Sequence, residues 1–302
     1  MNILVDCIEG IGDNLYARPF VWELISRAQE AGDQVYIKTV LPFMYSGLAS
    51  FQRHVHLVHP GEPKYRTQRK NFPTNYPFEQ EPESYDRVID FKYSGQSLKR
   101  NTIVGHMEGA FGFEPGSIKP WWMLPATQPH RVKIPDNKKL VVVRPVTLRK
   151  EWNCETRAPN PHYIGWCSKL LMNAGYHVVS IADCVEGEEW IEGPEPAAHQ
   201  KFHHGELNMQ QVLNLIGDAN LVVGGSGFII PAAVSSNAKL FVIFGGRGEY
   251  DAPGKVFDLR MDMSRIGWAL PANFCKCTVM EHDCDKTITD LDDRFLSFMS
   301  RV

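Results

Sequence analysis

Three segments of this 302-residue chain combine residue types that suit the capture of a phosphate-linked group. The first is Glu9-Gly10-Ile11-Gly12-Asp13-Asn14. Glycines between a strand and a helix let another group approach the backbone, and a helix N-terminus favours an anion. It is not a dinucleotide fingerprint, because GIGDNLY lacks the third glycine of GxGxxG. Asp13 reads two ways: as an N-cap or helix-dipole partner, or as a general base that accepts a hydroxyl proton.

The second segment, VVVRPVTLRKEWNCETR, places Arg144, Arg149, Lys150 and Arg157 just beyond the carboxyl end of a strand. Cations there are well placed for ligand phosphates, against the alternative of a solvated basic loop. The third runs from His203 to Gly246, opening on His204 and Gly205 and centred on Gly224-Gly225-Ser226-Gly227-Phe228. Backbone amides and the Ser226 hydroxyl can cradle a diphosphate without a metal. GGSG after one strand and FGG after the next together mark a ligand crevice.

Other signals carry less. Cys275, Cys277, His282 and Cys284 have the donor types for zinc, but a one-residue gap is awkward for chelation, so the expectation is free thiols and no metal. Asp283-Cys284-Asp285 matches a metal-holding DxD only as a common tripeptide. His54, His56 and His59 read as a solvated strand face. Lys64, Arg66, Arg69 and Lys70, interleaved with Tyr65, Phe72, Tyr76 and Phe78, form a basic-aromatic patch that suits an anionic acceptor. The bland alternative is a solvated loop with its own apolar cluster.

These residues need a scaffold, and the pattern supplies one. Apolar Ile3 to Val5, the glycine turn, a helical stretch to about Ala31 and a strand over Gln34 to Val40 make a βαβ opening. His54 to Val58 and Arg87 to Phe91 read as further strands, with residues 60–85 a long ordered loop. Residues 126–139 look like a linker. A second cycle follows: strands at Leu140, His177, Leu221 and Leu240, helices at Tyr163, Met209 and Ile229, and a final helix from Asp290 to Phe298. Such alternation implies an α/β protein with parallel sheets covered on both faces.

Composition agrees. A net charge of −3 gives no global field toward nucleic acid or anionic membrane. Seven scattered cysteines, an odd number, fit a reducing compartment. With neither a signal-like N-terminus nor an apolar run of about 18 residues, the expected location is cytoplasmic, without stable membrane insertion.

In order and spacing, the motifs resemble glycosyltransferase family nine, the heptosyltransferase-like GT-B enzymes. The family's GxGD loop appears as Gly10-Ile11-Gly12-Asp13, followed by a helix carrying Pro19. Its proline-ended strand and basic-Trp stretch appear as Val143-Arg144-Pro145 and Arg149-Lys150-Glu151-Trp152. Leu213 to Ala233 is similar to its "VVG…SG…AA" stretch, and Val242 to Gly245 to its closing strand. The family's acidic residue before Ser/Thr-Gly is Gly225 here, and its later histidine is Ile230. Both departures fall on side chains that hold the donor sugar, which points away from heptose.

The resemblance implies a GT-B architecture, two Rossmann-like domains facing each other across a cleft. Their expected bounds are 1–125 for the acceptor domain and 140–285 for the nucleotide-sugar domain, with 286–302 a helix that packs back on the first. It implies a metal-independent transferase with no cofactor beyond its nucleotide-diphosphate-sugar substrate, Asp13 as base and an inverting outcome. Donor contacts fall to Gly12, Asn14, Arg144, Arg149, Lys150, His204, Gly205 and Gly224 to Phe228, and acceptor contacts to the basic patch. The acceptor is a glycan, a glycolipid or a modified nucleic-acid base. Two rivals share the pattern: a sugar-nucleotide epimerase and a non-catalytic nucleotide- or glycan-binding protein.

Overall fold

A computed structural model of the chain describes residues 1–7, 10–49 and 53–301, so Glu9 lies outside the described residues. The chain divides into two compact units, Met1–Thr127 and Gln128–Val302.

In the first unit, β1 (Asn2–Cys7), α1 (Ile11–Ala31) and β2 (Gln34–Thr39) form the opening βαβ unit. The chain continues through α2 (Ser46–Ala49), β3 (Val55–Val58), α3 (Arg66–Asn71), β4 (Arg87–Asp90) and α4 (Ile103–Ala110). The strands make a parallel sheet in the order β3-β2-β1-β4. α1 is buried all round from Asn14 to Val21 and then only along Leu24, Ile25 and Ala28, a stripe at three- and four-residue spacing. Gly32 ends it in the left-handed region, φ 74°, where its N–H reaches the carbonyls of Ala28 and Gln29. The segment expected as a continuous loop at 60–85 contains α3. Gln68 makes that turn possible, its Oε1 accepting from the amides of Lys64 and Tyr65 at 3.0 and 3.1 Å.

The second unit runs β5 (Leu140–Arg144), β6 (Thr147–Arg149), α5 (Pro161–Asn173), β7 (His177–Ile181), β8 (Glu189–Ile191) and β9 (Gln200–Phe202). It continues with α6 (Met209–Asp218), β10 (Leu221–Gly225), α7 (Ile229–Val234), β11 (Lys239–Ile243), α8 (Pro253–Val256), β12 (Ile266–Ala269) and α9 (Leu291–Ser300). Its main sheet is parallel, in the order β12-β11-β10-β5-β7-β9, while β6 and β8 form a separate antiparallel pair. Val141, Val142 and Val143 are all fully buried, which is why β5 reads as an unbroken apolar run. Val141, Val143, Val223, Phe241 and Ile243 pack with Ile164, Cys167 and Leu171 of α5. The alternate residues face the other way, where α6 and α7 meet the sheet. Asn208 caps α6, accepting from the Gln211 amide at 2.9 Å while Gln211 accepts from its own at 3.1 Å.

Two further segments complete the second unit. Residues 128–139 belong to the second unit rather than to a free linker, with the His130 amide donating to Asn214 Oδ1 at 2.9 Å. The last helix is part of the second unit's core: Phe295 and Phe298 ring-pack on Phe241 at 4.9 and 5.4 Å. Burying each ring stabilises by about 1.5–3 kcal/mol. No helix of the described residues is long and apolar enough to cross a membrane.

Candidate functional site

The six-stranded sheet dictates where a ligand fits. Counted in chain order from β5, its strands stand 3-2-1-4-5-6, with the reversal of direction between β5 and β10. Connections from those two strands leave toward opposite edges and open a crevice beyond their carboxyl ends. Arg144 ends β5 and pairs in register with Gly224 of β10. A side chain at Gly224 would begin 2.7 Å from Ile229 Cδ1 and 3.1 Å from the Arg144 carbonyl oxygen, so a larger residue at this corner would have to push the Ile229 side chain aside. Gly225, Ser226, Gly227 and Phe228 follow, each partly exposed, before α7 begins. Among the described residues, none accepts a hydrogen bond from the amides of Ser226, Gly227 or Phe228.

Two guanidiniums lie against this loop, those of Arg144 and Arg157. The Arg144 guanidinium lies over the Phe228 ring at 5.2 Å and 3.8 Å from Glu189 Oε1. Burial lowers its pKa from the usual arginine value and Glu189 opposes the shift, which leaves it a cation near neutrality. Arg149 and Arg157 both lie over Trp152, at 5.1 and 4.9 Å. Arg157 Nη2 is 2.8 Å from where a side chain at Gly227 would begin, so its head sits directly on the glycine loop. Lys150 is exposed, its amide donating to the Glu188 carbonyl at 2.8 Å.

Asp251, 6 % exposed, organises this edge, and no motif in the sequence points to it. Its Oδ1 accepts from Ser226 Oγ and pairs with Arg157 Nε, both at 3.1 Å, and its Oδ2 lies 3.6 Å from Arg247 Nε. One carboxylate therefore ties the glycine loop to two arginines. Gly245 closes the edge from β11: a side chain there would begin 2.6 Å from the carbonyl oxygens of Arg157 and Ala158. His204 and Gly205 stand at the same edge but two strands away, past β9. His204 is exposed, and Gly205 turns the chain with φ 75°.

In the first unit the glycine motif belongs to α1 itself. Gly10 is the N-cap, and Gly12, expected in a loop, lies in the first turn. Asp13 is not the cap but the third helical residue, where its charge complements the helix dipole. Tyr93 Oη donates to Asp13 Oδ1 at 2.7 Å. Asn14 is fully buried: its amide donates to the Gly10 carbonyl at 2.9 Å and its Oδ1 accepts from Tyr45 Oη at 2.8 Å. Its side chain braces the turn from beneath. Burial holds the Tyr45 phenol protonated, as that bond requires.

Of the basic patch, Lys64, Arg69 and Lys70 are exposed on or beside α3 and Arg66 is half-buried. Its aromatic members pack on one another, Phe72 on Phe78 at 5.8 Å and Tyr76 on Phe78 at 4.8 Å. His56 is held by Glu79 and Gln34, each at 2.7 Å. The three late cysteines and His282 converge on one point, which their spacing did not suggest.

No protein-family model and no curated protein matches this sequence. Solved structures do. TibC, described as an iron-containing dodecameric glycosyltransferase from enterotoxigenic E. coli, superposes with a TM-score of 0.60 at 13 % identity, over 97 % of this chain and 67 % of its own. Its complex with ADP-D-beta-D-heptose gives 0.62 at 14 % identity, over 98 % and 71 %. The E. coli heptosyltransferase WaaC with ADP gives 0.51 at 13 % identity, over 99 % and 98 %. A family 9 glycosyl transferase from Veillonella parvula gives 0.50 at 9 % identity, over 100 % and 98 %. Identities this low speak for the fold. By that measure the chain is a two-sheet α/β protein with the GT-B fold of the family-nine heptosyltransferases.

Proposed function

We propose that the chain is a glycosyltransferase that moves a sugar from a nucleotide-diphosphate sugar to an acceptor hydroxyl. One observation carries the reading: beyond the carboxyl ends of β5 and β10 the amides of Ser226, Gly227 and Phe228 have no acceptor among the described residues, and the guanidiniums of Arg144 and Arg157 lie against the same loop. Amides and fixed cations aimed at one place stabilise the charge that builds on a departing diphosphate. In this scheme the second unit binds the donor, and no divalent ion is needed at the diphosphate. Asp13 takes the acceptor proton, and one base without a nucleophile gives inversion. The exposed basic residues of α3 suit an anionic acceptor, a glycolipid core or a modified nucleic-acid base.

ADP is the first nucleotide to test, since the structures of WaaC and TibC hold ADP or ADP-heptose. Gly225 and Ile230 argue for a sugar other than heptose. The test is a calorimetric titration with nucleotide diphosphates and their sugars, without added divalent ions, on the unsubstituted chain and on Asp13→Asn. Tight binding by both, with donor turnover only by the former and only when acceptor is present, supports the transferase. Turnover without acceptor would mean an epimerase. Binding with no turnover in either protein would mean a binding protein.

A further inference from the structure

The segment between β12 and α9 brings three thiols and an imidazole together. The ligand atoms of Cys275, Cys277, His282 and Cys284 all lie within 4.8 Å of one another. Cys275 Sγ is 3.5 Å from His282 Nδ1, which is 3.3 Å from Cys284 Sγ, and Cys277 Sγ is 3.4 Å from Cys284 Sγ. A tetrahedron with metal–sulfur bonds of about 2.3 Å and metal–nitrogen bonds of about 2.0–2.1 Å has edges of roughly 3.6–3.8 Å. Three of the six edges, at 3.3–3.5 Å, fall just inside those values, and the other three are no longer than 4.8 Å. We propose that these four side chains hold one zinc ion in a closed Cys3His site.

The chain geometry suits that assignment. In an extended strand the two side chains of a C-x-C pair share a face but stand about 6.5–7 Å apart, and a reversal of the backbone between them brings the thiols closer. Lys276 supplies that reversal, with φ 59°, one of two non-glycine residues in the left-handed region among the described residues. A disulfide between Cys277 and Cys284 would occupy two sulfurs and leave Cys275 and His282 converging without purpose. Four protein ligands leave no open coordination position, so the ion is structural rather than catalytic.

The surroundings show what it would brace. A side chain at Gly246 would begin 2.5 Å from Cys284 Sγ, and the Gly248 amide donates to the Cys277 carbonyl at 3.0 Å. On the other side, the Thr156 amide donates to Met280 O at 3.2 Å and Thr156 Oγ1 to Val279 O at 2.7 Å. The knuckle thus pins the loop after β11 and the turn that carries Arg157. Its existence does not depend on what that turn binds.

The test is metal analysis of the full chain, expressed with zinc and iron both supplied and purified without chelator. The expected result is about one zinc per chain. It should fall at least tenfold in Cys275→Ser and in His282→Ala, both exposed positions, and persist in Cys184→Ser. Cobalt supplied in place of zinc should give the intense visible bands and thiolate charge transfer of a tetrahedral sulfur-rich site, lost in the same two variants. Less than a tenth of an equivalent with no cobalt spectrum would overturn the site, as would a Cys277–Cys284 disulfide in the protein as purified. One equivalent of iron lost in the same variants would keep the site and overturn zinc as its occupant.

Discussion

Gly245→Ala tests how tightly the edge of the second sheet is built. The new methyl would stand 2.6 Å from the carbonyl oxygens of Arg157 and Ala158, and 2.7 Å from the Arg157 carbonyl carbon. All three are backbone atoms, so no side chain can swing aside. Ordinary contact begins near 3.4 Å, and strand end and turn must therefore part by roughly 0.8 Å. The turn is tied where it stands: Ala158 N donates to Glu155 O at 3.1 Å, and the amides of Gly246 and Arg247 both donate to Thr156 O, at 2.8 and 3.0 Å. Overpacking costs about 1–3 kcal/mol and each stretched hydrogen bond about 0.5–1.5 kcal/mol more, for an expected loss of about 2–4 kcal/mol. Arg157 rides on this turn, so a charge-assisted contact worth about 1.5–3 kcal/mol is weakened too, and nucleotide-diphosphate affinity should fall about 10- to 100-fold. Urea denaturation and calorimetric titration read the two effects. Gly254→Ala in α8, where a side chain meets nothing within 4 Å, is the control and should stay within about 1 kcal/mol. A Gly245→Ala protein as stable as the parent, binding nucleotide as well, would refute the claim of a close-built edge.

Three further outcomes are expected. Arg157→Ala should weaken nucleotide-diphosphate binding about 10- to 100-fold, while Lys169→Ala on the exposed side of α5 should change it less than twofold; equal affinities would remove Arg157 from the site. Tyr93→Phe deletes a hydrogen bond that positions the Asp13 carboxylate, so turnover should fall about 3- to 10-fold with nucleotide-diphosphate affinity unchanged, and an unchanged rate would count against Asp13 as the base. His177 and His203 have pKa values below the usual 6.5, chiefly through burial, so the folded state favours both neutral. Above about pH 6.5 they are neutral folded or unfolded; as pH falls below it the unfolded chain takes up protons first and stability is lost. Denaturation midpoints between pH 7.5 and 5 should show this decline, flattened in a His177→Gln, His203→Gln double variant.

Much of the scaffold was legible because the central strands are buried on both faces. Val141 to Val143, Leu221 to Val223 and Leu240 to Ile243 announce themselves as apolar runs for that reason. β6, β8, β9 and β12 were not legible: three or four residues such as Gln200–Phe202 carry no period, and their neighbours make them strands. α3 was missed in a proline-broken stretch because one side chain, Gln68, replaces the missing turn contacts. At the site, the glycine loop and the arginines were visible as types in order. Asp251 was not, because its partners Ser226 and Arg157 are 25 and 94 positions away. Asn14, read as a donor contact, points inward to Gly10 and Tyr45. The cysteine cluster was discounted for its one-residue gap, which a single left-handed residue, Lys276, resolves.

The most direct test of the central claim is a crystal structure of the full chain with the nucleotide diphosphate that binds it best. The expected result is the diphosphate beyond the carboxyl ends of β5 and β10, accepting from the amides of Ser226 to Phe228 and facing the guanidinium of Arg157. A nucleotide seated elsewhere on the chain, with that crevice filled only by water, would contradict it.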